Sequence, residues 1–128
     1  MKLLLDTHML LWAAAGTLPK KAEKLIADGA NTLYFSSASL WEISIKNSLG
    51  REDFRVNPRL LWRALLDNQY QELPISSLHV LALGELPTGH KDPFDRILAA
   101  QAKSEGISLL TSDTQMRDYG DAVMFVPK

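Results

Sequence analysis

Strand-like and helix-like segments alternate along this 128-residue chain, which predicts a three-layer α/β/α sandwich around a central, mainly parallel sheet. Short apolar runs rich in β-forming residues recur between segments of helical length. Glycine and proline fall where those segments must end, at Gly16, Pro19, Gly29, Gly50, Pro93 and Gly106. Parallel neighbours need helical crossovers, so the alternation places helices on both faces of the sheet. At 46% hydrophobic residues, the composition fits one domain over residues 1–128 with a core of its own.

Element by element, Lys2-Leu3-Leu4-Leu5 is a short strand that ends at Asp6-Thr7, and residues 8–14 follow as a helix broken by Gly16-Thr17-Leu18-Pro19. A second helix covers 20–28, stopped by Gly29. Residues 32–35 form a strand, and Ser36-Ser37 opens a helix over 38–49 that Gly50 closes. Then come a helix at 58–68, a strand at 71–75 and a helix at 77–84. Pro93 suits the first turn of a helix over 94–105, capped by Gly106. A buried strand at 107–110, a short helical turn from Asp113 and a last strand at 123–126 complete the order βααβααβααβαβ.

Composition excludes several classes. The net charge of -1 offers no overall basic field for nucleic acid, so any such contact needs a local patch. With no cysteine there is neither a disulfide nor a thiolate metal site, which is compatible with the cytoplasmic location expected here. No apolar stretch reaches the roughly 18 residues needed to span a bilayer. The amino-terminal run of leucines is interrupted by Asp6 and His8 before it makes a signal peptide.

Four acids stand out because they adjoin or interrupt apolar runs: Asp6, Glu42, Asp95 and Asp113. Asp6 and Asp113 follow the strands at 2–5 and 107–110, and open α/β sheets bind ligands beyond the carboxyl ends of their strands. Glu42 is expected on an inward face beside the stripe of Trp41, Ile45 and Leu49, and Asp95 on the face of Leu98, Ala99 and Ala102. Asp92 lies three residues before Asp95 and makes a fifth candidate. Each acid has an ordinary reading too: helix caps for Asp6, Asp92 and Asp113, and an ion pair with Lys46 for Glu42. Two carboxylates about 6 Å apart at an effective dielectric near 20 repel by roughly 3 kcal/mol. A cluster of four must therefore be protonated in part, paired with bases or neutralised by cations. Hard oxygen ligands without cysteine suit Mg²⁺ or Mn²⁺, ions typical of enzymes acting on phosphate esters.

Four blocks, Leu4-Leu5-Asp6-Thr7-His8, Ser39-Leu40-Trp41-Glu42-Ile43-Ser44-Ile45-Lys46, His90-Lys91-Asp92-Pro93-Phe94-Asp95-Arg96-Ile97-Leu98-Ala99-Ala100-Gln101-Ala102 and Leu110-Thr111-Ser112-Asp113, occur in order along nearly the whole chain. Together they resemble the PIN-domain family, in particular the VapC-type toxin ribonucleases of type II toxin-antitoxin pairs. The resemblance implies a PIN-like fold and a metal-dependent endoribonuclease, often a homodimer, blocked by a cognate antitoxin. It also implies that Asp6, Glu42, Asp95 and Asp113 are catalytic and hold Mg²⁺ or Mn²⁺, with Asp92 as an accessory metal ligand. Ser112 stands where related sequences often carry a basic residue.

Lys46, Lys91 and Arg96 are the expected contacts for RNA phosphates, with Thr111 or Ser112 as hydroxyl donors. His8 and His90 are expected to be structural. Leu10, Leu11, Trp12, Leu60, Leu61 and Trp62 are expected to leave an apolar patch for a dimer seam or an antitoxin segment. The competing function is a catalytically silent PIN-like binding or scaffold module. A phospho-signalling receiver is disfavoured because the third strand ends without an acceptor aspartate.

Overall fold

The structure, a computed structural model that describes residues 1–128, has all five strands parallel in one sheet ordered β3-β2-β1-β4-β5. The strands are β1 (Lys2–Leu5), β2 (Thr32–Ser36), β3 (Gln71–Leu73), β4 (Ser108–Thr111) and β5 (Val123–Phe125). The helices are α1 (Thr7–Ala15), α2 (Lys20–Ala27), α3 (Ser37–Ser48), α4 (Pro58–Asp67), α5 (Ser77–Ala82) and α6 (Pro93–Glu105). Three 3-10 turns, Glu52–Phe54, Leu83–Glu85 and Thr114–Met116, complete the order.

The central strand explains the layers. In β1 successive side chains point to opposite faces, so Leu3 and Leu5 enter one core and Leu4 the other, all fully buried. The first core packs Met9, Leu10 and Leu11 of α1, Ala22 of α2 and Leu61 and Leu65 of α4. The second packs Leu98, Ala99 and Ala102 of α6 with Met116 and Tyr119. Helix α3 serves both, giving Ala38 to one and Ile43 to the other. Gly16 and Gly106 end α1 and α6 in the left-handed conformation, at φ 73° and 68°, which a side chain would strain.

Topology then locates the crevice. The chain builds outward from β1 through β2 to β3, then crosses back to lay β4 on the other side of β1. The order reverses between β1 and β4, and the carboxyl ends of all five strands share one edge, so the crevice opens beyond Leu5 and Thr111.

Three expectations change. The third strand stops at Leu73, because Pro74 has no N–H to give the ladder. The stripe of Trp41, Ile45 and Leu49 faces outward; Trp41 is 59% and Leu49 72% exposed, while Ala38, Ser39, Glu42 and Ile43 form the buried face. The apolar patch expected at 10–12 and 60–62 shrinks to Leu60, since Leu10, Leu11 and Leu61 are buried and Trp12 and Trp62 pack against the same core. Exposed apolar groups gather on α3 and on α5, at Leu78, Val80 and Leu81. No helix is long and apolar enough to cross a membrane.

Candidate metal centre

Asp6 leaves β1 in an extended conformation and caps α1, its Oδ1 accepting the Met9 N–H at 2.8 Å. Its Oδ2 accepts the Thr111 hydroxyl at 2.6 Å, and Thr111 Oγ1 accepts the Asp113 N–H at 3.0 Å. This relay ties the ends of β1 and β4 together. Burial pushes the Asp6 carboxyl above its usual range, against the Thr111 and Met9 hydrogen bonds that favour its charge. Replacing Thr111 with Val keeps the shape and removes the donor. Thr111→Val is expected to cost about 1–2 kcal/mol in urea unfolding of the metal-free protein; an unchanged midpoint would mean the hydroxyl does not hold Asp6.

Glu42 is buried on α3, with Oε2 at 2.5 Å from Lys46 Nζ and Oε1 without any partner. A buried carboxylate oxygen left unpaired is costly, and a hard cation is one kind of partner that would satisfy it. Asp92 and Asp113 each cap with one oxygen. Asp92 Oδ1 accepts the Phe94 and Asp95 N–H groups at 2.9 and 3.2 Å as α6 begins, and Asp113 Oδ1 accepts the Gln115 N–H at 2.9 Å. The capping reading of these acids is thus correct, and it leaves each a second oxygen.

Asp95 is where the acids meet. Its carboxyl is pushed up to about 8, by burial first and then by the charges of Asp92, Asp6, Glu42 and Asp113. At neutral pH the metal-free protein therefore keeps a proton on Asp95. The other four sequence-selected acids thus all lie near enough for their charges to act on Asp95.

His90 joins them, although the sequence suggested a structural loop residue. Its Nε2 lies 3.3 Å from Asp95 Oδ2, and one ligand atom each from His90, Asp95 and Asp113 fall within 4.8 Å of one another. The only sequence signal was its place two residues before Asp92, at the approach to α6. His8 lies in α1 outside the cluster, 3.5 Å from Asp53 and packed near Trp12 and Phe54.

The expected phosphate contacts fare unevenly. Arg96 donates to the His90 carbonyl at 3.3 Å, the Tyr119 hydroxyl at 2.8 Å and the Leu83 carbonyl at 3.4 Å, so its guanidinium is committed internally. Thr111 is buried against Asp6, and the Ser112 hydroxyl donates to the Val126 carbonyl at 2.7 Å. Lys46 pairs with Glu42 and lies 4.8 Å from the centre of the Phe54 ring. Lys91 is exposed beside the cluster.

Solved structures share this arrangement of strands and helices. VapBC2 from Rickettsia felis, bound to a DNA fragment from the promoter, is 19% identical with a TM-score of 0.71, the match covering 99% of this chain and 98% of that one. VapBC-1 from nontypeable Haemophilus influenzae is 20% identical with a TM-score of 0.67 over the same shares. DNA-bound VapBC from Salmonella typhimurium is 16% identical, also at 0.67 and over the same shares. At these identities the likeness is one of fold. Sequence comparison with curated proteins gives no match. The family model for the PIN domain matches residues 3–122, from the middle of β1 to the threshold of β5 and across every acid of the cluster. The chain belongs to the PIN-domain family, a family of nucleases.

Proposed function

We propose that the chain is a Mg²⁺- or Mn²⁺-dependent endoribonuclease, the VapC-type toxin of a type II toxin-antitoxin pair. The observation that carries the reading is a half-buried Asp95 carboxyl on which the charges of Asp92, Asp6, Glu42 and Asp113 all act, beside a buried Glu42 Oε1 without a partner. Such mutual repulsion has no use in a silent scaffold and is relieved by a cation. The unpaired Glu42 Oε1 and the all-oxygen acid set fit a hard divalent ion.

Asp6, Glu42, Asp95 and Asp113 are the proposed metal-holding catalytic acids, and Asp92 supports them from the cap of α6. A bound Mg²⁺ or Mn²⁺ supplies Lewis acidity, lowering the pKa of coordinated water and offsetting phosphate charge. The protein's own groups do the rest. Thr111 and the Met9 N–H fix the Asp6 carboxylate, so its orientation needs no adjustment on binding. Lys46, held beside the site by Glu42, and exposed Lys91 are the cations that would meet RNA phosphates. Hydrolysis breaks the P–O3′ bond and leaves 5′-phosphate and 3′-hydroxyl ends.

The VapBC neighbours support an antitoxin partner, and the exposed Trp41, Ile45 and Leu49 offer apolar area for that protein or for a second copy in a homodimer. A cytoplasmic setting suits an RNA substrate. The reading is tested by incubating purified protein with a structured RNA, with and without divalent metal. Cleavage only with Mg²⁺ or Mn²⁺ is expected; equal cleavage in chelator would overturn it.

A further inference from the structure

We infer that His90 is a positioning residue for Asp95, donating from Nε2 to the Asp95 carboxylate, and is not itself a metal ligand. Distance alone suggests a ligand, since His90, Asp95 and Asp113 form a compact trio. The other ring nitrogen decides against it. His90 Nδ1 accepts the Asp92 N–H at 3.2 Å, and an imidazole that accepts at Nδ1 carries its proton at Nε2. A metal ligand needs a bare lone pair on Nε2, which would move the proton to Nδ1 and set it against the Asp92 N–H. That N–H belongs to the residue capping α6, so the conflict falls on the turn that delivers both Asp92 and Asp95.

The ring is held to this orientation. Arg96 grips the His90 carbonyl and the Tyr119 hydroxyl, and the Tyr119 ring packs edge-on against the imidazole with centroids 5.4 Å apart. The His90 side chain is 4% exposed. Its Nε2 nevertheless has no hydrogen-bond partner, because the 3.3 Å approach to Asp95 Oδ2 is poorly aligned for one.

A second histidine in the same fold shows the finished arrangement. His79 Nδ1 accepts the Ser76 N–H at 3.0 Å, and its Nε2 meets Glu105 Oε2 at 2.8 Å. His90 repeats that plan beside the acid cluster with the final bond left open. A small turn of the Asp95 carboxyl would close it, fixing Oδ2 on the imidazole and leaving Oδ1 free, as catalytic hydrogen bonds tighten on loading.

This inference rests on the metal-site reading proposed above. Its test pairs nitrogen NMR of the His90 ring, metal-free and Mg²⁺-saturated, with calorimetric Mn²⁺ binding to wild type, His90→Phe and His90→Gln. The proton is expected to stay on Nε2 in both states. His90→Phe is expected to weaken Mn²⁺ binding about tenfold or more, and His90→Gln, which restores an N–H donor, to recover most of the loss. A proton that moves to Nδ1 on loading, a His90→Phe protein that binds Mn²⁺ like wild type, or a His90→Gln protein no better than His90→Phe overturns the positioning role and leaves the metal site standing. Failure of wild type to bind Mn²⁺ overturns the metal-site reading, and this inference with it.

Discussion

Asp6→Asn and Asp95→Asn are each expected to lower metal-dependent RNA cleavage by about two to three orders of magnitude while leaving the fold intact. The expectation follows from what asparagine keeps and what it loses. At position 6 the amide oxygen can still cap α1 by accepting the Met9 N–H, because asparagine caps helices as well as aspartate does. Thr111 can accept from the new NH₂ group, so the link between β1 and β4 survives in reversed polarity. The negative charge is what disappears. At position 95 the substitution removes the carboxyl on which the other four acids act. Single-turnover cleavage at saturating Mg²⁺, with circular dichroism as the check on folding, measures the effect. Activity within about twofold of wild type in either variant would remove that residue from the catalytic set.

Metal-free Asp95→Asn is expected to be more stable than metal-free wild type at neutral pH, by about 1–2 kcal/mol. The sign comes from proton linkage. The Asp95 carboxyl is pushed up to about 8 in the folded protein from its ordinary 3.8. Between those values the folded state holds a proton that the unfolded state has lost, so stability is fully present below about pH 4 and falls as pH rises toward 8. The limiting slope for one such group is about 1.4 kcal/mol per pH unit, reduced here because the Asp95 side chain is 21% exposed and water screens it. Asparagine cannot ionise, so its curve should be flatter over that window. Burial raises the Asp6 pKa as well, which adds a slope of the same sign that the variant retains. Urea unfolding in chelator from pH 5 to 8 reads both curves. Parallel curves, or a variant less stable than wild type at pH 7, would show that the acids do not crowd Asp95.

The sequence was most legible where periodicity and strand ends carry the information. The leucine run at 3–5 and the Leu109-Leu110 pair are buried on both faces of a parallel sheet, which is why they read as strands and why Asp6 and Asp113 could be placed at their ends. Asp95 was placed correctly because Leu98, Ala99 and Ala102 share its face and are buried. Glu42 was found for a mistaken reason. Its helix turns a face of Ala38, Ser39 and Ile43 inward and leaves its larger apolar stripe outside, which a search for apolar periodicity cannot anticipate.

Other features depend on contacts between distant parts of the chain. The commitment of Arg96 to Leu83 and Tyr119, and of Thr111 to Asp6 across 105 positions, has no local signature. His90 lies in a segment without period, where its place two residues before Asp92 is the only sign that its ring meets Asp95. Capping and metal binding looked like alternatives for Asp92 and Asp113 when the residues were considered singly. A carboxylate has two oxygens, and at both positions one caps while the other takes no part in the cap.

Calorimetric titration of Mn²⁺ into the metal-free protein at pH 7, repeated in two buffers of different ionisation enthalpy, tests most directly whether these acids form a cation site. The account predicts saturable binding with release of protons, among them the one Asp95 holds below about pH 8. Asp95→Asn should lose most of the affinity and the proton release together. Absence of saturable binding, or binding that releases no proton in wild type, would contradict it.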